Sequence, residues 1–180
     1  MRIWLVIALV IGIFGASLFG YVVSLNNDCV TNEQSVIAQY KENQNNYDNF
    51  YKKVKETAHV SEKYAADFKS IYDTMMKGRY GENGSKAIFN WIKENNPTLD
   101  SSLYKQVQQV IESGRNDFEI NQKMLIDKKR VYELVLQKFP NSLFVKFLGF
   151  PKIDMTKFDI VTSEATEQAF ETKKAEALTF

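Results

Sequence analysis

The sequence predicts an all-α protein, an N-terminal transmembrane helix followed by an antiparallel bundle of long helices. Three observations carry that expectation. Ile3 to Leu25 holds no charged side chain. Beyond it, apolar and aromatic residues return every seven positions through two long polar stretches. Apart from Gly114, glycine and proline, the strongest local breakers, lie outside those stretches, in a few clusters.

Residues 1–27 read as the anchor. The charge-free run of 23 residues rises about 34 Å as a helix, against a hydrocarbon core of about 30 Å. Met1-Arg2 and Gly15-Ala16-Ser17 also resemble the start and cleavage site of a secretory signal. The apolar run nevertheless continues through Leu18, Phe19, Tyr21, Val22 and Val23. Cleavage at Ser17 would strand those residues in water, so an uncleaved single-pass anchor is expected. Arg2 on one side, with Asp28 and Glu33 first on the other, favours a cytoplasmic N-terminus and an exported body.

Residues 28–160 read as the bundle. Its 44% hydrophobic and 13% aromatic composition (whole chain) suits one domain with a core. From Tyr21 to Lys77 there is neither glycine nor proline, and two heptad rows run through the stretch. One is Val30, Ile37, Gln44, Tyr51, Ala58, Ala65 and Tyr72. The other is Glu33, Tyr40, Tyr47, Val54, Ser61, Phe68 and Met75. A single helix from Val30 to Lys77, about 72 Å long, is expected, with this stripe as its core face.

Gly78, Gly81 and Gly84 predict a turn at the distal tip, then a short amphipathic helix capped by Gly84 or Ser85. That helix carries Ala87, Ile88, Trp91 and Ile92 and ends at Asn95-Asn96-Pro97. A second long helix follows to Phe139, with Thr98, Asp100 or Ser101 as N-cap. Its row is Tyr104, Ile111, Phe118, Leu125, Tyr132 and Phe139, beside Val107, Gly114, Asn121, Lys128 and Val135. Gly114 predicts a close helix approach or a kink. The two long helices are expected to run antiparallel, seam to seam, burying Tyr51, Phe68, Ile111 and Phe118. The return would bring Phe139 to within about 10–20 Å of the bilayer.

After Pro140, the apolar residues Leu143, Phe144, Val145, Phe147, Leu148 and Phe150 crowd together beside Lys138, Lys146, Lys152 and Lys157. Rings and lysines in such a mixture suit a membrane interface, where rings enter the headgroup boundary and cations meet anionic lipid. Phe144, Lys146, Phe147, Leu148 and Phe150 are the candidate membrane-interface residues. The same side chains could instead close the membrane-proximal end of the core. Residues 161–180 form a tail or weak helix, Thr162 to Leu178, with few apolar positions (Ala165, Ala169, Phe170).

No catalytic or metal-ligand constellation emerges. The single cysteine, Cys29, reads as a packing residue near the membrane, and the single histidine, His59, as a helix-flank residue. One His and one Cys make a poor metal set. The 78–84 glycines lack the strand context and the Lys-Ser/Thr of a phosphate loop. Without Arg2 the chain has 22 basic and 22 acidic side chains, so no positive excess points to nucleic acid. No enzyme activity and no cofactor are expected.

The stretch Tyr132 to Lys152, YELVLQKFPNSLFVKFLGFPK, resembles the C-terminal signature of LemA-family proteins. Its parts are Phe139-Pro140, Asn141-Ser142, the apolar Leu143 to Leu148, and Gly149-Phe150. Asn95-Asn96-Pro97-Thr98-Leu99 is similar to the family's helix start upstream, and the order of anchor, long helix, short helix, long helix and signature agrees. Two family stretches depart here: the Arg-Arg-x-Tyr-Asn segment, replaced around Lys123 to Ile126, and the Asp-Leu-Ile-Pro-Asn-Leu segment, which has no counterpart beyond Asn49-Phe50. The resemblance implies a membrane-anchored helical bundle associated with envelope or membrane organisation, without enzyme activity. The expected function is a non-enzymatic scaffold or adaptor. The alternative is a membrane-remodelling or lysis-type factor that presses an apolar segment into the bilayer. Partners would be membrane lipids, other membrane or envelope proteins, and further copies of the chain.

Overall fold

The computed structural model describes residues 2–76, 81–95, 101–162 and 170–173. Every regular element among them is helical: α1 (Arg2–Thr57), α2 (Ala65–Met76), α3 (Gly81–Asn95), α4 (Ser101–Gln137) and α5 (Asn141–Phe144), with 3-10 turns at Glu62–Tyr64 and Met155–Lys157. The all-α expectation holds. α1 carries the apolar run and continues without a break into polar sequence, and it is long and apolar enough to cross a membrane. Gly78, Pro97, the candidate caps Thr98 and Asp100, and most of the expected Thr162–Leu178 helix lie outside the described residues; 170–172 are helical.

The single helix expected over Val30–Lys77 is corrected. α1 stops at Thr57 and the chain reverses through Ala58, His59 and Val60. His59 N–H donates to the Glu56 carbonyl at 3.0 Å, and Val60 N–H reaches back to Lys55 at 3.1 Å. This pair of bonds is the Schellman C-cap, whose turning residue must adopt the left-handed conformation. His59 does so, at φ 51°. Glycine usually fills that position, so the stop carries no glycine signal. α2 then folds back along α1 rather than extending it. Consequently the distal turn expected at Gly78–Gly84 is preceded by an earlier reversal, and α3 begins at Gly81, not after Gly84.

The chain forms two compact units. The first joins Met1–Tyr40 with Met124–Asp159, the second Lys41–Lys123 with Ile160–Phe180. In the second unit Phe50, Val54, Ala58, Phe68, Tyr72, Ile88, Ile92, Val107 and Ile111 make one buried cluster. Burying each large member stabilises by about 1.5–3 kcal/mol. The fold-back is tied by polar contacts as well: Tyr47 donates to Asp73 at 2.8 Å and Tyr72 to the Tyr47 carbonyl at 3.0 Å. α3 packs Trp91 on Phe68, with ring centroids 5.2 Å apart. α4 meets α1 antiparallel here, since Tyr47 contacts Phe118 while the later Phe50 contacts the earlier Gly114.

One heptad row sits a residue earlier than expected. The buried positions are Cys29, Val36, Asn43 and Phe50, whereas Val30 and Gln44 are exposed and Ile37 and Tyr51 only half-buried. Apolarity alone misplaced the row, because the core face accepts polar side chains at Gln39 and Asn43. Phe50 displaces Tyr51 because Gly114 leaves room for its ring; a β-carbon there would lie 2.2 Å from Phe50 Cδ2. On α4, Val107, Ile111, Leu125 and Tyr132 are buried as expected. Phe118 is half-buried, and Tyr104 and Phe139 are exposed.

Candidate functional site

The first unit gathers chemistry at one place, where the apolar part of α1 meets the end of α4 and the segment after it. Residues 2–20 of α1 are exposed around the whole helix, and cover begins at Tyr21, Val22 and Leu25. The Tyr21 hydroxyl donates to Asn141 Oδ1 at the start of α5. Its ring meets Phe144 edge-on, centroids 5.7 Å apart. Asn141 in turn donates its amide to the Val135 carbonyl at 2.8 Å, which fixes the turn between α4 and α5. Asn141 is therefore a structural joint between α1 and α4. The end of α4 and the segment after it thus pack beside the apolar part of α1.

Two turns of helix further along α1, Cys29 and Glu33 are buried. Glu33 Oε1 accepts from the Tyr132 hydroxyl at 2.6 Å and from the Lys152 backbone N–H at 2.6 Å. One carboxyl group thus holds both α4 and the chain beyond Pro151. Burial, then the hydrogen bond to Glu33, pushes the Tyr132 phenol well above its ordinary range. Burial, then the neighbouring Glu33 and Asp28, also raises the Cys29 thiol. A buried thiol with a raised pKa is a poor nucleophile and a poor metal ligand. Among the described residues no three His, Cys, Asp or Glu side chains come together as a metal site requires.

The candidate interface residues divide. α5 and the turns after it close on Gly149, at φ 74°, through Gly149 N–H to Lys146 and Phe150 N–H to Val145. This second Schellman cap brings Val145 and Phe150 together, and both are buried. Phe150 therefore faces inward, under the Lys152 ammonium 4.3 Å from its ring centroid. Phe144 and Leu148 are half-buried. Lys146 is exposed, and Phe147 is 88% exposed. Two residues outside the expected set share that outward position: Phe139 at 81% and Leu143 at 64%. The segment thus closes the core with one face and leaves the other open.

The rest of the segment is pinned by Phe158 against Tyr40, centroids 5.3 Å apart, and by an ion pair of Lys129 with Asp159. Sequence reasoning missed the Glu33–Tyr132–Lys152 junction. Glu33 and Tyr132 both stood in seam rows, but pairing across 99 positions has no local signature. The chain matches no family model, no curated protein and no solved structure.

Proposed function

We propose that this chain is a single-pass, membrane-anchored helical protein without enzyme activity, serving as a scaffold or adaptor in envelope organisation. The observation that carries the reading is α1. Its 18 uncharged residues Ile3–Gly20 are exposed on every side, and the same helix runs unbroken into a packed unit. Surface of that kind is stable in lipid and costly in water. The likeness of residues 132–152 to the LemA signature supports the same class. In the proposed topology the Arg2 end is cytoplasmic and the packed units are exported.

Alkaline carbonate extraction of native membranes tests the anchor: the chain should stay in the pellet, and release into the supernatant rejects the reading. Chemical crosslinking in those membranes tests the scaffold role. Recovery of envelope proteins or of further copies is expected; recovery of the uncrosslinked chain alone would refute it. Protease added from outside should degrade the units and spare Arg2, and the reverse pattern would invert the topology.

A further inference from the structure

We propose that Phe139, Leu143 and Phe147 insert into the interfacial layer of the bilayer that holds α1, making the segment after α4 a second, peripheral membrane contact. The inference rests on the anchored reading above.

Depth is the first argument. The lipid-facing part of α1 is Ile3–Gly20, which rises about 27 Å and so nearly fills a hydrocarbon core of about 30 Å. Tyr21 therefore falls at the boundary, the level where tyrosine concentrates in membrane proteins. Tyr21 is bonded to Asn141 and packed on Phe144. These two contacts hold α5 at headgroup level.

Direction is the second argument. Ser142 N–H bonds to Lys138, Val145 to Asn141, and Leu148 to Phe144, each four residues back. Residues 143 and 147 therefore share one helical face. Asn141, Phe144, Val145 and Leu148 turn toward the protein, whereas Leu143, Lys146 and Phe147 turn out. Phe139 adds a second exposed ring just before Pro140. Two phenyl rings and a leucine exposed at the boundary, beside exposed Lys138 and Lys146, have the composition of an interfacial helix. Lysine stems reach along apolar surface and keep their ammonium groups at the headgroups. The bilayer is the occupant, because the anchor already places it against this face.

The test uses the full chain in phosphatidylcholine–phosphatidylglycerol vesicles. Cys29→Ser removes the native thiol, and Phe147→Cys carries a polarity-sensitive fluorophore. Position 147 is exposed, so labelling requires no repacking; a second label at Leu143→Cys repeats the measurement. The expected result is blue-shifted emission, quenched by lipids bearing a nitroxide near the headgroup and protected from aqueous iodide. Phe139→Ser together with Leu143→Ser should reduce that quenching in the 147-labelled chain. Iodide-accessible emission without nitroxide quenching would overturn the proposal. So would emission protected from both quenchers with self-quenching that depends on protein density, since a second copy would then cover the face. Carbonate extraction of the same vesicles separates the two readings. Released protein means that the anchor fails; retained protein with an aqueous label means that only the insertion fails.

Discussion

Glu33 and Tyr132 stand 99 residues apart in sequence and share a 2.6 Å hydrogen bond in which the phenol donates. The same carboxyl oxygen also receives the Lys152 amide. Removing the acceptor strands the buried Tyr132 phenol and leaves the part-buried Lys152 amide unpaired, whereas removing the phenol strands none of the backbone. Glu33→Ala should therefore cost about 2–4 kcal/mol and Tyr132→Phe only about 1–2. Because both changes break one bond, the double variant should fall short of their sum by about 1 kcal/mol or more. Denaturant melts of the detergent-solubilised chain would measure all three. Strict additivity would show that the bond contributes nothing.

A second prediction concerns Phe50 and Gly114. Alanine normally improves a helix interior by about 1 kcal/mol over glycine. Here its β-carbon would overlap the Phe50 ring at 2.2 Å, and overpacking costs about 1–3 kcal/mol. Gly114→Ala should thus lower the melting temperature of the native chain. In a Phe50→Ala background the same substitution should raise it. Equal effects in both backgrounds would dismiss the contact.

The α1 C-cap yields a third. His59 occupies the left-handed conformation, which disfavours side chains that carry a β-carbon. His59→Gly should stabilise by about 0.5–1 kcal/mol, part of the relief being offset by the greater freedom of glycine when unfolded. His59→Val should destabilise by about 1–2 kcal/mol. If calorimetry finds valine tolerated as well as glycine, position 59 does not hold the left-handed conformation at the end of α1.

Alkali should act through the buried phenols. Tyr72 and Tyr132 are fully buried, and burial, followed by neighbouring Tyr47 and Asp73 for Tyr72 and by the hydrogen bond to Glu33 for Tyr132, raises both above their ordinary values. A folded pKa above the unfolded value means that the stabilisation is complete below about pH 10 and is lost as pH rises beyond it. Each such group then removes up to about 1.4 kcal/mol per pH unit. The denaturant midpoint should be flat from about pH 8 to 10 and fall above that. Tyrosinate absorbance of these two residues should appear only with unfolding. Their titration in the folded chain, isolated by Tyr72→Phe and Tyr132→Phe, would contradict the burial.

Cys29 should be inert. Its side chain has no exposed surface and its thiol is pushed up by burial. An aromatic disulfide reagent should react with it slowly near neutral pH and rapidly once denaturant is added. Fast labelling of the folded chain would mean that the core around Cys29 opens.

Much of this architecture could be read from residues in order. The long apolar start of α1 follows from the lack of charge between Ile3 and Leu25, because length and polarity are local properties that need no partner. The core positions Val54, Phe68, Ile88, Ile92, Ile111 and Leu125 follow from helical period and apolarity, which are local properties. What the order of residues left undecided depends on what faces each position. Phe50 is buried in preference to Tyr51 because Gly114 lies opposite. α1 ends at Thr57 because the α2 aromatics Phe68 and Tyr72 find Tyr47 and Tyr51 to pack on, with His59 accepting the turn that packing requires. After Pro140, composition alone leaves six apolar residues equivalent. Two distant partners separate them: Tyr21 engages Asn141 and Phe144, and Glu33 engages Lys152. With that face held, Val145 and Phe150 close the core while Leu143 and Phe147 point away from it. Periodicity reports that a face is apolar; only the partner across the contact decides which side chain fills it.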